Sequence, residues 1–85
     1  MKVWEFEKKV WELDGVRIVV RASGNAQVLD YPHANAVSKT MGVTGYLKNR
    51  IGPKIAPYDA VVVGGAGDLV HGRTKISRVR ESYGK

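Results

Sequence analysis

The 85-residue sequence contains no cysteine. Disulfides and thiolate–metal sites are therefore excluded as sources of stability. A long apolar run is also missing, because the opening stretch MKVWEFEKKVWELDG carries a charge every few positions. A signal peptide or a membrane span has a continuous apolar stretch instead. We expect a soluble, cytoplasmic protein with no membrane partner.

Patterns typical of catalysis and metal binding are scarce. The two histidines, His33 and His71, do not occur in an HxxH or HExxH spacing, so no metal site is predicted. No spacing suggests that either histidine meets a serine and an orienting carboxylate. Apart from the charge-alternating first fifteen residues, the chain has no paired carboxylates of the kind that glycosidases use. We expect no enzyme activity, no metal and no cofactor.

One stretch resembles a nucleotide-binding motif. Residues 67–74, GDLVHGRT, match the P-loop spacing GxxxxGK[ST] except that Arg73 replaces the lysine. A P-loop also needs a following helix, further strands and an acidic partner for Mg²⁺, whereas eleven residues follow Thr74. Arginine is a poor substitute for a lysine that reaches inward. We interpret the stretch as a glycine-rich connection and leave open whether its backbone N–H groups bind an anion.

The strongest local folding signal is Asp14-Gly15, which stands between two strand-like runs. Such a pair predicts a β-hairpin with a type I′ turn. The predicted pairing puts five apolar residues on one face of the sheet: Trp11, Leu13, Val16, Ile18 and Val20. Trp4 and Phe6 have the opposite parity, so a regular strand cannot bury both sets. Either a bulge near Lys8-Lys9 shifts the phase, or Trp4 and Phe6 form a second apolar surface that contacts a partner.

The rest of the chain alternates between helical and strand-like patterns. Residues 26–31 form an optional third strand, residues 43–54 a helix, and residues 58–65 an interior strand rich in valine. Residues 74–85 have helical spacing, although a strand is an alternative. The order β-β-(β)-α-β-α predicts one α+β domain over residues 1–85. Its antiparallel sheet starts with the hairpin and carries one or two helices on one face.

Positive charge is concentrated in the second part of the chain. Residues 1–30 carry five basic and five acidic side chains, whereas residues 31–85 carry nine and three. This asymmetry favours an anionic partner. Seven cations make up the predicted nucleic-acid or partner-binding residues: Arg73, Lys75, Arg78, Arg80, Lys48, Arg50 and Lys54.

The sequence has no RNP, KH, zinc-finger or helix-turn-helix signature, so the functional signal is electrostatic. We predict a small non-enzymatic binding protein whose basic second part contacts nucleic acid. The alternative is an inhibitor or adaptor of the type that phages and mobile elements encode. It would bind a host protein or nucleoprotein complex, such as a nucleic-acid-processing or defence enzyme, through Trp4 and Phe6 or through the same charges. DNA, RNA and protein partners and the oligomeric state stay open.

Overall fold

Residues 3–14 form a helix, α1 (Val3–Asp14), in the computed structural model, which describes residues 1–84. Gly15 ends this helix with a φ of 67°, and its N–H donates to the Trp11 carbonyl at 3.0 Å. A left-handed glycine serves a helix C-terminus as well as it serves a type I′ turn. The predicted hairpin turn at Asp14-Gly15 is therefore the end of a helix, and the first predicted strand does not form.

In a helix, residues of even and odd number can share a face. The opposite parity of Trp4 and Phe6 relative to Trp11 and Leu13 is therefore no longer a conflict. Val3, Phe6 and Val10 recur at helical spacing and are buried, whereas Trp4 is 51% exposed. No bulge near Lys8-Lys9 is needed, because the segment has no strand phase to shift.

The two strands come from distant parts of the chain. Strand β1 (Arg17–Val20) pairs antiparallel with β2 (Ala60–Val63), and Ile18 lies opposite Val62. The inner face of the sheet is buried, and Val19 points to the other face, where it is 45% exposed. The prediction of a mixed α+β fold with an antiparallel sheet is confirmed, although a long connection joins the strands. The optional third strand is reduced to an isolated bridge between Gln27 and Lys2.

One continuous helical run, the central helix of residues 43–55, connects β1 to β2. It consists of α2 (Val43–Tyr46), a π-helical turn (Leu47–Ile51) and α3 (Gly52–Ile55). The N–H of Gly52 donates to the carbonyl of Leu47, which is the bond that defines the π turn. Pro53 has no N–H to donate and is tolerated at the start of α3.

The glycine-rich stretch turns back on β2. The N–H of Gly64 donates to the Asp68 carbonyl at 2.8 Å, and that of Val70 donates to Val62 at 3.0 Å. Gly65 packs on the end of the last helix, α4 (Ile76–Ser82), and a Cβ there would overlap the Ser82 carbonyl. The glycines therefore serve a tight turn and a close contact, and the helical alternative for the last segment is confirmed.

Each of the three helical runs within residues 1–84 begins after a residue with extended backbone. The ψ angles of Lys2, Gly42 and Lys75 are 153°, 156° and 151°. Gly42 and Lys75 also form a bridge with each other. Around that bridge, the N–H of Val43 donates to Thr74, and the N–H of Ile76 donates to Met41, both at 2.9 Å. Residues 39–44 and 72–77 therefore run antiparallel, and the starts of the central helix and α4 lie side by side.

The core consists of the inner faces of these elements. Its largest fully buried side chains are Tyr31, Tyr46, Phe6, Ile51, Ile55 and Ile76. Within the described residues, every helix is too short or too polar to span a bilayer.

Candidate nucleic-acid interface

The seven predicted cations separate by exposure. Arg73, Lys75, Arg78 and Lys48 are exposed, whereas Arg50, Lys54 and Arg80 are partly buried. The two groups have different environments.

A buried polar network accounts for Arg50. Asp14, at the end of α1, is 1% exposed and accepts hydrogen bonds from the Tyr31 and Tyr46 hydroxyls. The backbone N–H of Val37 also donates to this carboxylate at 2.9 Å, and Arg50 Nη2 donates at 3.0 Å. Four donors, two from the segment between β1 and the central helix and two from the central helix itself, thus converge on one buried carboxylate.

The tyrosines of this network act as hydrogen-bond donors. Burial, and next the hydrogen bond to Asp14, raises the pKa of Tyr31 well above its usual value. Burial likewise raises the pKa of Tyr46. Both hydroxyls therefore stay protonated at neutral pH and satisfy the Asp14 carboxylate.

Arg50 makes several contacts inside the protein. Besides its ion pair with Asp14, its Nε donates to the Tyr31 hydroxyl at 2.6 Å, and Nη2 donates to the Asn35 carbonyl. Its guanidinium carbon also lies 5.5 Å from the centre of the Tyr31 ring. These contacts make Arg50 a poor candidate for binding a partner.

Arg80 has a similar internal role. Its Nε donates to the backbone carbonyl of Asp14 at 2.8 Å, and Nη2 donates to the Val37 carbonyl at 3.0 Å. A cation is favourable at the C-terminal end of α1, where carbonyl groups are left without helical partners. Arg80 therefore connects α4 to α1, and its Nε and Nη2 groups are engaged with acceptors inside the protein.

The sequence does not reveal this network, because the Asp14-Gly15 pair predicts a turn between strands. Once α1 is recognised as a helix, a carboxylate in its last turn is unfavourable for the helix dipole and needs compensating donors. A carboxylate at the wrong end of the helix dipole is thus the sequence signal that identifies Asp14 as the centre of a polar network.

Four exposed cations form what we call the basic surface: Lys39, Arg73, Lys75 and Arg78. The backbones of the segments that carry them lie side by side, since the N–H of Ser77 donates to the Lys39 carbonyl at 3.0 Å. No Asp or Glu occurs in residues 31–58 or 69–80. Among residues 1–84, ion pairs within 4.0 Å join only Lys9 to Asp30 and Arg50 to Asp14. The basic surface therefore carries charge that no carboxylate in the described part of the chain neutralises by direct pairing.

An open groove of about 500 Å³ lies between the central helix and residues 58–61. Its apolar lining is buried or partly buried and consists of Leu47, Ile51, Ile55, Ala60 and Val61. Its exposed lining consists of Arg21, Thr44, Lys48, Tyr58 and Asp59. Lys48 thus belongs to this groove. Lys54 does not line the groove, and its backbone carbonyl accepts the N–H of Leu29 at 2.9 Å.

The groove and the basic surface meet at Thr44. The N–H of Thr44 donates to the Gly72 carbonyl at 2.9 Å, and its side chain lies against the Gly72 backbone. Gly72 immediately precedes Arg73. A ligand that covers the basic surface can therefore extend into the groove.

The two aromatic residues predicted as an apolar contact lie in different environments. Phe6 is 0% exposed and packs edge-on against Tyr31 with ring centroids 5.2 Å apart. Trp4 is 51% exposed on the outer side of α1. The predicted pair is therefore reduced to Trp4, because Phe6 belongs to the core.

The histidines have local contacts of their own. His33 lies edge-on to Tyr31 with ring centroids 4.7 Å apart, and His71 Nδ1 accepts the backbone N–H of Arg73 at 3.1 Å. Within residues 1–84, no group of three or more His, Cys, Asp or Glu side chains is placed to hold a metal ion.

Comparisons with protein-family models, with curated proteins and with solved structures find no match to this chain. Function is therefore inferred from the geometry and charge of the chain itself.

Proposed function

We propose that this protein is a small non-enzymatic binding protein that contacts the phosphate backbone of nucleic acid through the basic surface. The observation that carries the proposal is the pairing of residues 39–44 with residues 72–77. This pairing collects cations from two acid-free parts of the chain, and none forms an ion pair within the described residues.

The side chains on this surface suit phosphate recognition. Arginine offers a planar fork of donors to phosphate oxygens, and lysine offers a compact charge. The exposed hydroxyls of Ser38 and Thr40, whose oxygens are 2.9 Å apart, add small polar donors beside Lys39. Neutralising several phosphates releases counterions, which is the main source of sequence-independent affinity for nucleic acid.

The test compares two double variants that each remove two exposed positive charges. Lys75→Ala with Arg78→Ala removes charge from the start of α4, and Lys2→Ala with Lys8→Ala removes it from α1. Lys2 and Lys75 occupy the same position, immediately before a helix. We expect the first pair to weaken binding of fluorescein-labelled DNA and RNA at low salt by about tenfold or more, and the second pair to have a much smaller effect. Fluorescence anisotropy measures both.

Two results would contradict this proposal. Equal weakening by the two pairs would mean that overall charge alone attracts nucleic acid. No binding of any DNA or RNA at low salt by the wild-type protein would remove the proposed function altogether.

A protein-binding inhibitor or adaptor is the second candidate, and exposed Trp4 favours it. Tryptophan is enriched among residues that dominate binding energy at protein interfaces. This candidate requires the opposite pattern, in which nucleic acid is not retained and Trp4→Ala abolishes binding of a purified, stoichiometric protein partner.

A further inference from the structure

We propose that the groove between the central helix and residues 58–61 accepts one unpaired base of a single-stranded nucleic acid. The phosphates of that strand would lie on the basic surface, so the inference rests on the proposed function and names its ligand class. Single-stranded DNA or RNA is then preferred over a duplex.

The size and lining of the groove fit a base. Its volume of about 500 Å³ lies within the range of pockets that hold small ligands. Leu47 and Val61 offer partly exposed apolar surface, and Tyr58 is 37% exposed at the same groove. A base presents a flat π face, and stacking on an aromatic side chain is the usual way in which proteins hold unpaired bases.

The polar groups around the groove favour a nucleotide over an acidic peptide. Arg21 and Lys48 line it and have no ion-pair partner in the described part of the chain. They can bind the phosphates on either side of the base. The Asp59 carboxylate can accept a hydrogen bond from an exocyclic amino group of a base, whereas the carboxylates of an acidic peptide are acceptors and offer it no donor.

The groove lies next to the basic surface, so one strand can contact both. Thr44 lines the groove and is hydrogen-bonded to Gly72, next to Arg73 of the basic surface. A strand that follows the basic surface therefore reaches the groove directly. Bases in a duplex are paired and stacked, so only an unpaired base can enter.

The experiment measures binding of a labelled twelve-nucleotide deoxyadenosine strand, whose bases carry an exocyclic amino group, and of its duplex with the complementary strand. Tyr58→Ala removes the stacking ring, and Tyr58→Phe keeps it, so the second variant is the matched control. We expect Tyr58→Ala to weaken binding of the single strand by about tenfold and to leave duplex binding unchanged. Tyr58→Phe should bind both as the wild-type protein does.

A second probe reports on the base directly. A strand with one 2-aminopurine changes its fluorescence when that base leaves its neighbours and stacks on a protein ring. We expect the change on binding to wild-type protein and to Tyr58→Phe, and its loss with Tyr58→Ala.

The outcomes separate the two proposals. If Tyr58→Ala binds the single strand like wild type while Lys75→Ala with Arg78→Ala weakens it, the base site is overturned and the proposed function stands. Equal loss of single strand and duplex with Tyr58→Ala would also overturn the base site. Binding of labelled polyglutamate that Tyr58→Ala weakens as strongly as it weakens binding of the single strand would assign the groove to acidic peptides instead. If the wild-type protein binds no nucleic acid, both proposals fail.

Discussion

At the scale of single residues, Asp14 has the most demanding position in the protein. Its carboxylate is buried at the C-terminal end of α1, where the helix dipole disfavours negative charge. Arg50 provides the opposite charge, and two tyrosine hydroxyls and one backbone N–H satisfy the remaining lone pairs. A buried charge is tolerated only with such complete pairing.

Replacing Asp14 should therefore be costly. Asp14→Asn keeps the size of the side chain but turns one acceptor into a donor and leaves Arg50 without its counter-charge. The Arg50 side chain is 16% exposed, so water cannot fully replace the lost partner. We expect the free energy of unfolding, measured by urea denaturation, to fall by about 3 kcal/mol.

The control for this substitution is Asp30→Asn. Asp30 also pairs with a cation, Lys9, but the two side chains are 63% and 40% exposed. Exposed ion pairs contribute little to stability, so Asp30→Asn should unfold at nearly the wild-type urea concentration. Equal stability of Asp14→Asn and wild type would show that the network does not hold these segments together.

At the scale of elements, Gly15 decides where α1 ends. Its φ of 67° is a conformation that residues with a Cβ rarely adopt. We expect Gly15→Ala to lower the free energy of unfolding by about 1 kcal/mol. Gly24→Ala is the matched control, because Gly24 has no left-handed φ and a Cβ there meets nothing within 4 Å. Similar destabilisation by both changes would mean that the helix end does not depend on the left-handed glycine.

The same glycine shows how far the sequence predicts the elements. The central helix, strand β2 and helix α4 follow from their local patterns, which their buried contacts reinforce. Helix α1 does not follow from its local pattern. Its valines and aromatic residues favour strands, and Asp14-Gly15 is compatible with both a hairpin turn and a helix C-terminus. The disagreement in parity between Phe6 and Leu13 was the sign that a period of two does not apply there.

The candidate site could be predicted only in part. The abundance of cations in the second part of the chain is visible in the sequence. The pairing of residues 39–44 with residues 72–77 cannot be seen in the sequence. It joins backbone groups that are far apart in the chain and needs no particular side chains. For the same reason the sequence does not distinguish Arg50 and Arg80 from the exposed cations, since their internal acceptors belong to distant segments.

At the scale of the whole molecule, the fold concentrates charge that the sequence spreads out. The formal net charge is +6, and Asp14 and Arg50 neutralise each other in the interior. The two acid-free segments then lie next to each other, and the groove with Lys48 continues from them at Thr44. A local field of one sign is what attracts an extended polyanion.

The most direct test of this account is the salt dependence of nucleic-acid binding. For a single strand, the logarithm of the association constant should fall with the logarithm of salt concentration by about 0.7 per phosphate neutralised. We expect a slope near −3 or steeper for the wild-type protein, and a variant with Lys39, Arg73, Lys75 and Arg78 all changed to alanine should lose most of that slope. A variant with the same slope as wild type would contradict the assignment of phosphate contacts to the basic surface.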